Sequence, residues 1–488
     1  MNKSLFFLAI IALVFIVGCK RDTIVTPANQ PGSGYPSDIE VILKNKCTSA
    51  GCHNATDLGG ELDLTTWDGM FRGSDAGSVA IPFRPDFSTL LYFVNVYSDL
   101  GPTTTNFMPR NGDALTREEV IRLKNWIATG APNKKGKIMW SDNPHRKKYY
   151  VINQGCRVVT VFDAATNLPM NYVDVADATE QNTSPHQVRV SPDGQYWYVC
   201  MIGGSYIKRF RTSDDGFDGK IFIGNANWNT IAFTPDSKYL FTVDWSAGGG
   251  GGKVKKCDLT AMQVMDSTFL ADSPHGSCVS PDGKYLYVTA TAANYVYKIH
   301  VDSLSRPASY ENIDFGGGPQ PSLLFNPHEI VFSPDGSKYY VSCPGNNNSG
   351  DLSVKVFDAT LDNLITSVSL PSGAYEMSIS ASANRMFVSS YDGTAQYPNG
   401  QVMVIDLVSN TFSTSLETGV QPHGIAVDDG AGLVYVANRN LSNTNPPHHT
   451  SVCGGVNGII RYINLSTLEV LDKDVIVSRD PYFISIRY

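Results

Sequence analysis

The chain has 488 residues, more than one ordinary domain holds, with a net charge of −8, 11% aromatic residues, 43 glycines and 27 prolines. An acidic balance argues against nucleic acid as a partner. The glycine, proline and aromatic content fits a β-rich protein with many turns.

In chain order, Lys3 precedes an unbroken apolar run from Leu5 to Val17 that ends at Ile16-Val17-Gly18-Cys19. The run is too short to span a bilayer, so residues 1–18 read as a signal peptide. The small residue before Cys19 resembles the lipobox of bacterial lipoproteins. That resemblance implies cleavage before Cys19, lipidation of its thiol and a lipid-anchored protein of the cell envelope. Lys20 stands where Asp would favour inner-membrane retention, which points to the outer membrane. Residues 19–35 are rich in Pro, Gly, Ser and Thr and read as a flexible tether.

The stretch Cys47-Thr48-Ser49-Ala50-Gly51-Cys52-His53 carries the strongest chemical signal. Two thiols followed directly by a histidine suit covalent c-type haem attachment, with the cysteines as thioether anchors and the imidazole as an iron ligand. Four residues separate the cysteines where two are usual, so a small disulfide loop or half of a zinc site remains an alternative. Met108, in Asn106-Phe107-Met108-Pro109-Arg110, suits the second axial position, and Met70 is its weaker rival. Pro85 to Leu100 has apolar residues at helical spacing. Thr116 to Glu119 is a capping box opening a helix that runs to Trp126-Ile127 and stops at Gly130-Ala131-Pro132.

These motifs, together with Ile39 to Leu43, Gly60 to Leu64 and Trp126 to Pro132, resemble the small cytochrome c domains typed after planctomycetes. The resemblance covers residues 36–133. It implies a small all-α domain with one covalent haem c, anchored by Cys47 and Cys52 and ligated by His53 and Met108.

Residues 134–145 form a basic linker, and from there the chain repeats. SPDGQYWYV begins at Ser191, TPDSKYLFTV at Thr234, SPDGKYLYV at Ser280 and SPDGSKYYV at Ser333; weaker copies begin at Ser380 and Asp428. Each is a polar turn feeding a β-rich strand. One position in each unit gives the series His186, Asn229, His275, His328, Tyr375 and His423, at intervals of 43 to 53 residues. That is the length of a four-stranded propeller blade. The C-terminal Pro481 to Tyr488 reads as an inner strand with no continuation, and Arg146 to Val151 supplies it. Joining the two closes the ring and removes its unpaired edges, which makes seven blades over residues 146–488. The repeats resemble the YVTN/YncE-type and lactonase-like seven-bladed propellers. The expected fold is therefore multidomain, a small all-α cytochrome domain followed by an all-β propeller.

Four of the nine histidines, His186, His275, His328 and His423, each follow Pro at this one repeat position. A ring of imidazoles at one mouth of the channel suits a second metal or cofactor; the plainer reading is that each binds a neighbouring blade's backbone. Gly248 to Gly252 lacks the helix and Lys-Ser/Thr of a phosphate loop and reads as a hairpin loop. His448, His449 and Cys453 sit in a polar insertion, a surface loop with a metal site as the lesser alternative. Beyond Cys19, Cys47 and Cys52, the remaining six cysteines show no paired spacing, and several are expected as buried thiols.

Two functions follow as expectations. One is a membrane-anchored redox protein that passes electrons to or from a partner protein or small molecule, with a ligand or reaction in the propeller funnel. The other is a propeller serving as a binding platform or lactonase-like hydrolase, with the haem segment as a redox tether.

Overall fold

The repeated turns fold as their side chains dictate. In the turn at 191–196, Asp193 Oδ1 accepts from Ser191 Oγ at 2.6 Å and from Gln195 N at 3.0 Å, while Ser191 N donates to Tyr196 O at 2.8 Å. Gly194 takes the left-handed conformation, φ 69°, that the turn requires. The same Ser/Thr-to-Asp bond recurs at Thr234–Asp236, Ser280–Asp282 and Ser333–Asp335. Each turn launches a strand of β-branched and aromatic residues that is buried almost throughout, such as Tyr285–Ala290 and Lys338–Cys343.

The computed structural model describes residues 32–176, 180, 182–245, 251–305, 310–315, 325–345, 350–441 and 453–487. The apolar leader, Cys19, most of the tether, most of the run Gly248 to Gly252, and His448 and His449 lie outside the described residues. No described helix is long and apolar enough to cross a membrane.

The strands form a β-propeller, but their pairing corrects the expected count. They fall into six hydrogen-bonded sheets, five of four strands and one of six, and not into seven separate blades. The difference arises where the second and third repeat units meet. The strands Tyr196–Arg211 and Phe217–Phe233 are long and pair with each other as far as Ile202↔Asn227 and Gly204↔Ala226, with register shifts beside both pairs. Phe217–Phe233 also pairs onward with Tyr239–Asp244, so the two units share one sheet. Within it the ribbon doubles back, since Trp197 and Phe210, near opposite ends of one strand, stack at 4.0 Å. One sheet thus holds two repeat units.

The C-terminal strand Pro481–Ile486 pairs antiparallel with Lys148–Asn153, placing Tyr150 opposite Ser485 and Val151 opposite Ile484. The first sheet is therefore assembled from both ends of the propeller. A buried ion pair, Lys148 Nζ to Asp215 Oδ2 at 2.8 Å, ties it to the six-stranded sheet.

The second correction concerns the N-terminal segment, which is not a separate all-α domain. Its four helices are short: α1 (Ser37–Lys46), α2 (Trp67–Met70), α3 (Thr89–Val94) and α4 (Arg117–Ala128). Only α4 shows the full capping box, Thr116 with Glu119. The helix expected over 85–100 shrinks to a 3₁₀ turn, Pro85–Phe87, plus α3. The rest is loop, stitched to the propeller by polar contacts. Ser78 Oγ donates to Pro169 O at 2.6 Å, Ile476 N donates to Ala76 O at 3.1 Å, and Arg84 pairs with Asp174 at 3.1 Å. Phe87 stacks on Tyr172 at 4.1 Å, and the core of the segment takes in Leu168 of the propeller.

Cys156, in the hairpin of the first sheet, forms a disulfide with Cys453, 297 residues away. The spacing of the cysteines gave no sign of this pair; among the others Cys200, Cys257 and Cys343 are buried free thiols, as expected for several of them. The disulfide also removes Cys453 as a metal-ligating thiolate. A crosslink over so long a loop restricts the unfolded chain, and Cys156→Ser is expected to cost about 2–4 kcal/mol. Urea unfolding should show the loss as a lower midpoint, matched by wild type under reductant. An unchanged midpoint in both would mean that the bridge does not form.

Candidate functional site

Two places gather the residues singled out from the sequence. The first is a cleft in the N-terminal segment. Helix α1 ends at Cys47, whose N–H donates to Leu43 O at 2.8 Å, and the chain then turns tightly. Cys52 N donates to Ser49 O at 3.0 Å, His53 N to Cys47 O at 3.1 Å, and Gly59 N to Cys52 O at 3.1 Å. Gly51, at φ 78°, makes the bend possible, and its N–H is held by Asp57 Oδ2 at 2.6 Å.

That turn aims Cys47 and His53 into an apolar cleft. Leu62, Leu64, Val79, Leu90, Phe93 and Val94 supply its walls, and Met108 lies on the same lining. The cleft encloses about 720 Å³ including its open mouth. Met108 is fixed there because its N–H donates to Phe93 O at 2.7 Å, next to α3. Cys52 is half-buried and adjoins His53 without lining the cleft. Met70, the rival ligand, is fully buried in the core of the segment.

The His53 ring is oriented by its Nδ1, 2.7 Å from Gly59 O. A carbonyl accepts, so Nδ1 carries the proton and Nε2 of the neutral ring keeps its lone pair. This is how a metal-ligating histidine is usually held. Cys47 and Cys52 are both free thiols, and burial pushes the Cys47 thiol up to about 12. The donor set of two unpaired thiols, an oriented imidazole and a thioether beside an apolar cavity fits a c-type haem.

The second place is the centre of the propeller. The equivalent residues of the repeat do converge there. Ring centroids run His186–His275 6.1 Å, His275–His328 4.1 Å, His328–Tyr375 5.3 Å, Tyr375–His423 6.4 Å, His423–Tyr482 3.8 Å and Tyr482–His186 4.7 Å. Three imidazoles bond the backbone of the next unit through Nδ1: His186 to Asn229 O at 2.8 Å, His275 to His328 O at 3.1 Å and His423 to Tyr482 O at 3.0 Å. His328 breaks the pattern, because its buried Nδ1 has no protein partner. His423 Nε2 and both amide atoms of Asn229 are likewise buried and unpartnered.

One residue further along the inner strands lies a feature that the repeat alignment missed. Glu329 and Glu376 are buried and line a channel pocket with Arg189, Phe483 and Ile425. Burial raises both carboxyls, Glu329 to about 7 and Glu376 well above its ordinary value, with Arg189 pulling each back. The signal was present: this position is Gly276 and Gly424 in two units but acidic in these two.

Burial also pushes the ring imidazoles down, His186 to about 4, His328 to about 3, and His275 and His423 well below their ordinary value. Depressed imidazoles are neutral in the fold and charge on unfolding, so each removes about 1.4 kcal/mol of stability per pH unit below about 6.5. The raised carboxyls act oppositely: each carries a penalty above its own folded value, about 7 for Glu329, that disappears as pH falls to about 4.5. The two effects partly offset between pH 6.5 and 4.5; below that the imidazole loss continues to each ring's folded value, about 4 for His186 and about 3 for His328, and is joined by the loss from carboxylates held low in the fold, such as Asp335. Urea midpoints in chelator-containing buffer should therefore fall steeply below pH 4.5, and His423→Gln should flatten the slope. An equal slope in that variant would mean that His423 does not titrate this way.

No family model matches the chain, and neither does any curated protein. Among solved structures the chain is similar to one described as Kuenenia stuttgartiensis hydrazine synthase, with a TM-score of 0.46 and 17% identity, covering 61% of this chain and 86% of that one. At that identity the likeness concerns the fold alone, and no argument about activity is drawn from it.

Proposed function

We propose that the propeller is a binding platform and that the N-terminal segment holds one covalent c-type haem, making the protein an exported electron-transfer protein. The observation that carries this reading is the cleft where Cys47, His53 and Met108 meet, with His53 Nδ1 held by Gly59 O at 2.7 Å. Cys47 and Cys52 would anchor the macrocycle, and His53 Nε2 and the Met108 sulfur would ligate the iron. Bound there, haem supplies one-electron redox chemistry. The chain's own residues hold the imidazole in one tautomer and keep water off one face with the leucines and valines of the cleft.

The cleft lies against the propeller. Ser74, Asp75 and Ala76 line it, and Ala76 O accepts from Ile476 N on the outer strand of the last sheet. A redox partner protein or small-molecule donor that binds the propeller would be brought near the haem. The leader ending at Cys19 supports export and lipid anchoring in the cell envelope, and the Cys156–Cys453 bridge fits an oxidising compartment.

The test is the absorption spectrum of the full chain made in a haem-maturing host, with a denaturing gel stained for haem peroxidase activity. A c-type spectrum and a stained band at the mass of the chain are expected. An unstained band overturns the haem assignment, and sugar-lactone hydrolysis by that haem-free protein would favour the hydrolase reading.

A further inference from the structure

The inner strands of neighbouring units pack closest where glycine replaces a side chain. At Gly276 an added Cβ would fall 2.3 Å from His328 O and 2.7 Å from Glu329 Cα. Its N–H donates to the same His328 O at 2.9 Å. That approach brings His275 onto the next unit, its ring 4.1 Å from the ring of His328 and its Nδ1 3.7 Å from Glu329 Oε1. One ligand atom from each of His275, His328 and Glu329 lies within 4.8 Å of the others, in the only such group among the described residues.

We propose that His275, His328 and Glu329 hold a divalent first-row transition-metal ion at the wall of the propeller's central channel. Three independent observations support the site. The donor set, two imidazoles and one carboxylate, is one that zinc, iron and copper ions take. His328 Nδ1 is buried with no protein partner, alone among the ring imidazoles in lacking a backbone bond through that atom. Glu329 is a buried carboxylate, 3% exposed, with Glu376 as a second acid near it and Arg189 as the shared cation.

The fold also orients the ligands before any ion arrives. The Nδ1–carbonyl bond of His275 fixes its ring and leaves Nε2 as the nitrogen that would take an ion, and Ser342 Oγ, accepting from Glu329 N at 2.9 Å, pins the backbone that carries the carboxylate. His186 and His423, although in the same aromatic ring, stand outside this group. The channel pocket that Glu329 lines encloses about 1090 Å³ including its open ends, so the ion would face a space able to admit a further ligand.

The experiment uses the full chain, stripped with a chelator and titrated with cobalt(II) or zinc(II) chloride, which haem iron does not obscure. About one tightly held ion per chain is expected by elemental analysis of cobalt or zinc, with cobalt's visible ligand-field bands read in the haem-free variant Cys47→Ala/Cys52→Ala. Loss of a ligand should weaken binding at least as much as loss of a group that only orients a ligand does, by about 10- to 100-fold or more, in His328→Ala and Glu329→Gln. The surface variant His300→Ala should bind as wild type does. Circular dichroism checks that the variants fold; if one does not, the other decides. The haem-free variant Cys47→Ala/Cys52→Ala should bind cobalt unchanged, which separates this site from the haem reading. No uptake by wild type overturns the proposal. So does equal binding by both ligand variants, or loss of binding in the haem-free chain.

Discussion

The Cys47→Ala/Cys52→Ala double variant is expected to leave the haem-maturing host with no covalent haem, a loss from one per chain to none. A c-type haem is held through thioether bonds, and the other free thiols cannot replace these two. Cys200, Cys257 and Cys343 are buried inside the propeller, and no other described cysteine lines the cleft. Met108→Ala tests the second ligand separately. It should keep the haem attached and the gel band stained, because Met108 forms no covalent bond to the macrocycle. Thioether-to-iron absorption in the far red should disappear, and the potential should fall, since thioether ligation raises it. A persistent far-red band would place the second ligand elsewhere, and the buried Met70 is poorly placed for that role. A stained band in the double variant would sink the thioether assignment altogether.

The residues of the candidate cleft were legible because their spacing is local. Cys47, Cys52 and His53 fall within one turn, and only Met108 had to be found at a distance; the Pro after it and the helices flanking it supplied that clue. What was illegible was the packing. The apolar wall from Leu62 to Val94 and the Gly59 carbonyl that orients His53 depend on how loops fold over one another. The same limit explains why a separate all-α domain was wrongly expected. Apolar spacing over 85–100 matches a helix, yet only Thr89–Val94 forms one, after a 3₁₀ turn whose Phe87 stacks on Tyr172 of the propeller.

In the propeller, strands and turns were readable unit by unit, since each turn is set by its own Ser or Thr, Asp and usually Gly. Sheet membership was not. Whether Gly203-Gly204 breaks a ladder depends on Asn227 and Ala226 pairing across it, which is a tertiary fact. The ring position was readable from Pro-His repeats, whereas Glu329 was passed over because the alignment drew attention to histidines alone. Its importance follows from the glycine on the neighbouring strand, Gly276, which no single repeat reveals.

Deleting Pro481 to Tyr488 is expected to abolish cooperative folding of the propeller. The strand supplies Phe483, Ile484 and Ile486, all buried, to the cores on both sides of the first sheet. Large-to-small changes at such positions cost about 2–5 kcal/mol each, and three of them approach the whole stability of a domain, about 5–15 kcal/mol. The polar losses add to this. Ser485 Oγ no longer accepts from Val190 N, Tyr482 O no longer accepts from His423 Nδ1, and Lys148–Asn153 loses the partner of its ladder. The exposed edge at Lys148–Asn153 then becomes a template for pairing between chains, so the truncated protein should aggregate. Because the N-terminal segment shares Leu168 with the propeller and leans on Ile476, its helices should loosen as well, while any haem stays covalently attached. Calorimetry and size-exclusion chromatography read both effects: the main unfolding peak should vanish and the monomer should be lost to large species. A monomeric truncation that melts with the wild-type midpoint would mean that this strand is dispensable and that the ring is closed by other contacts.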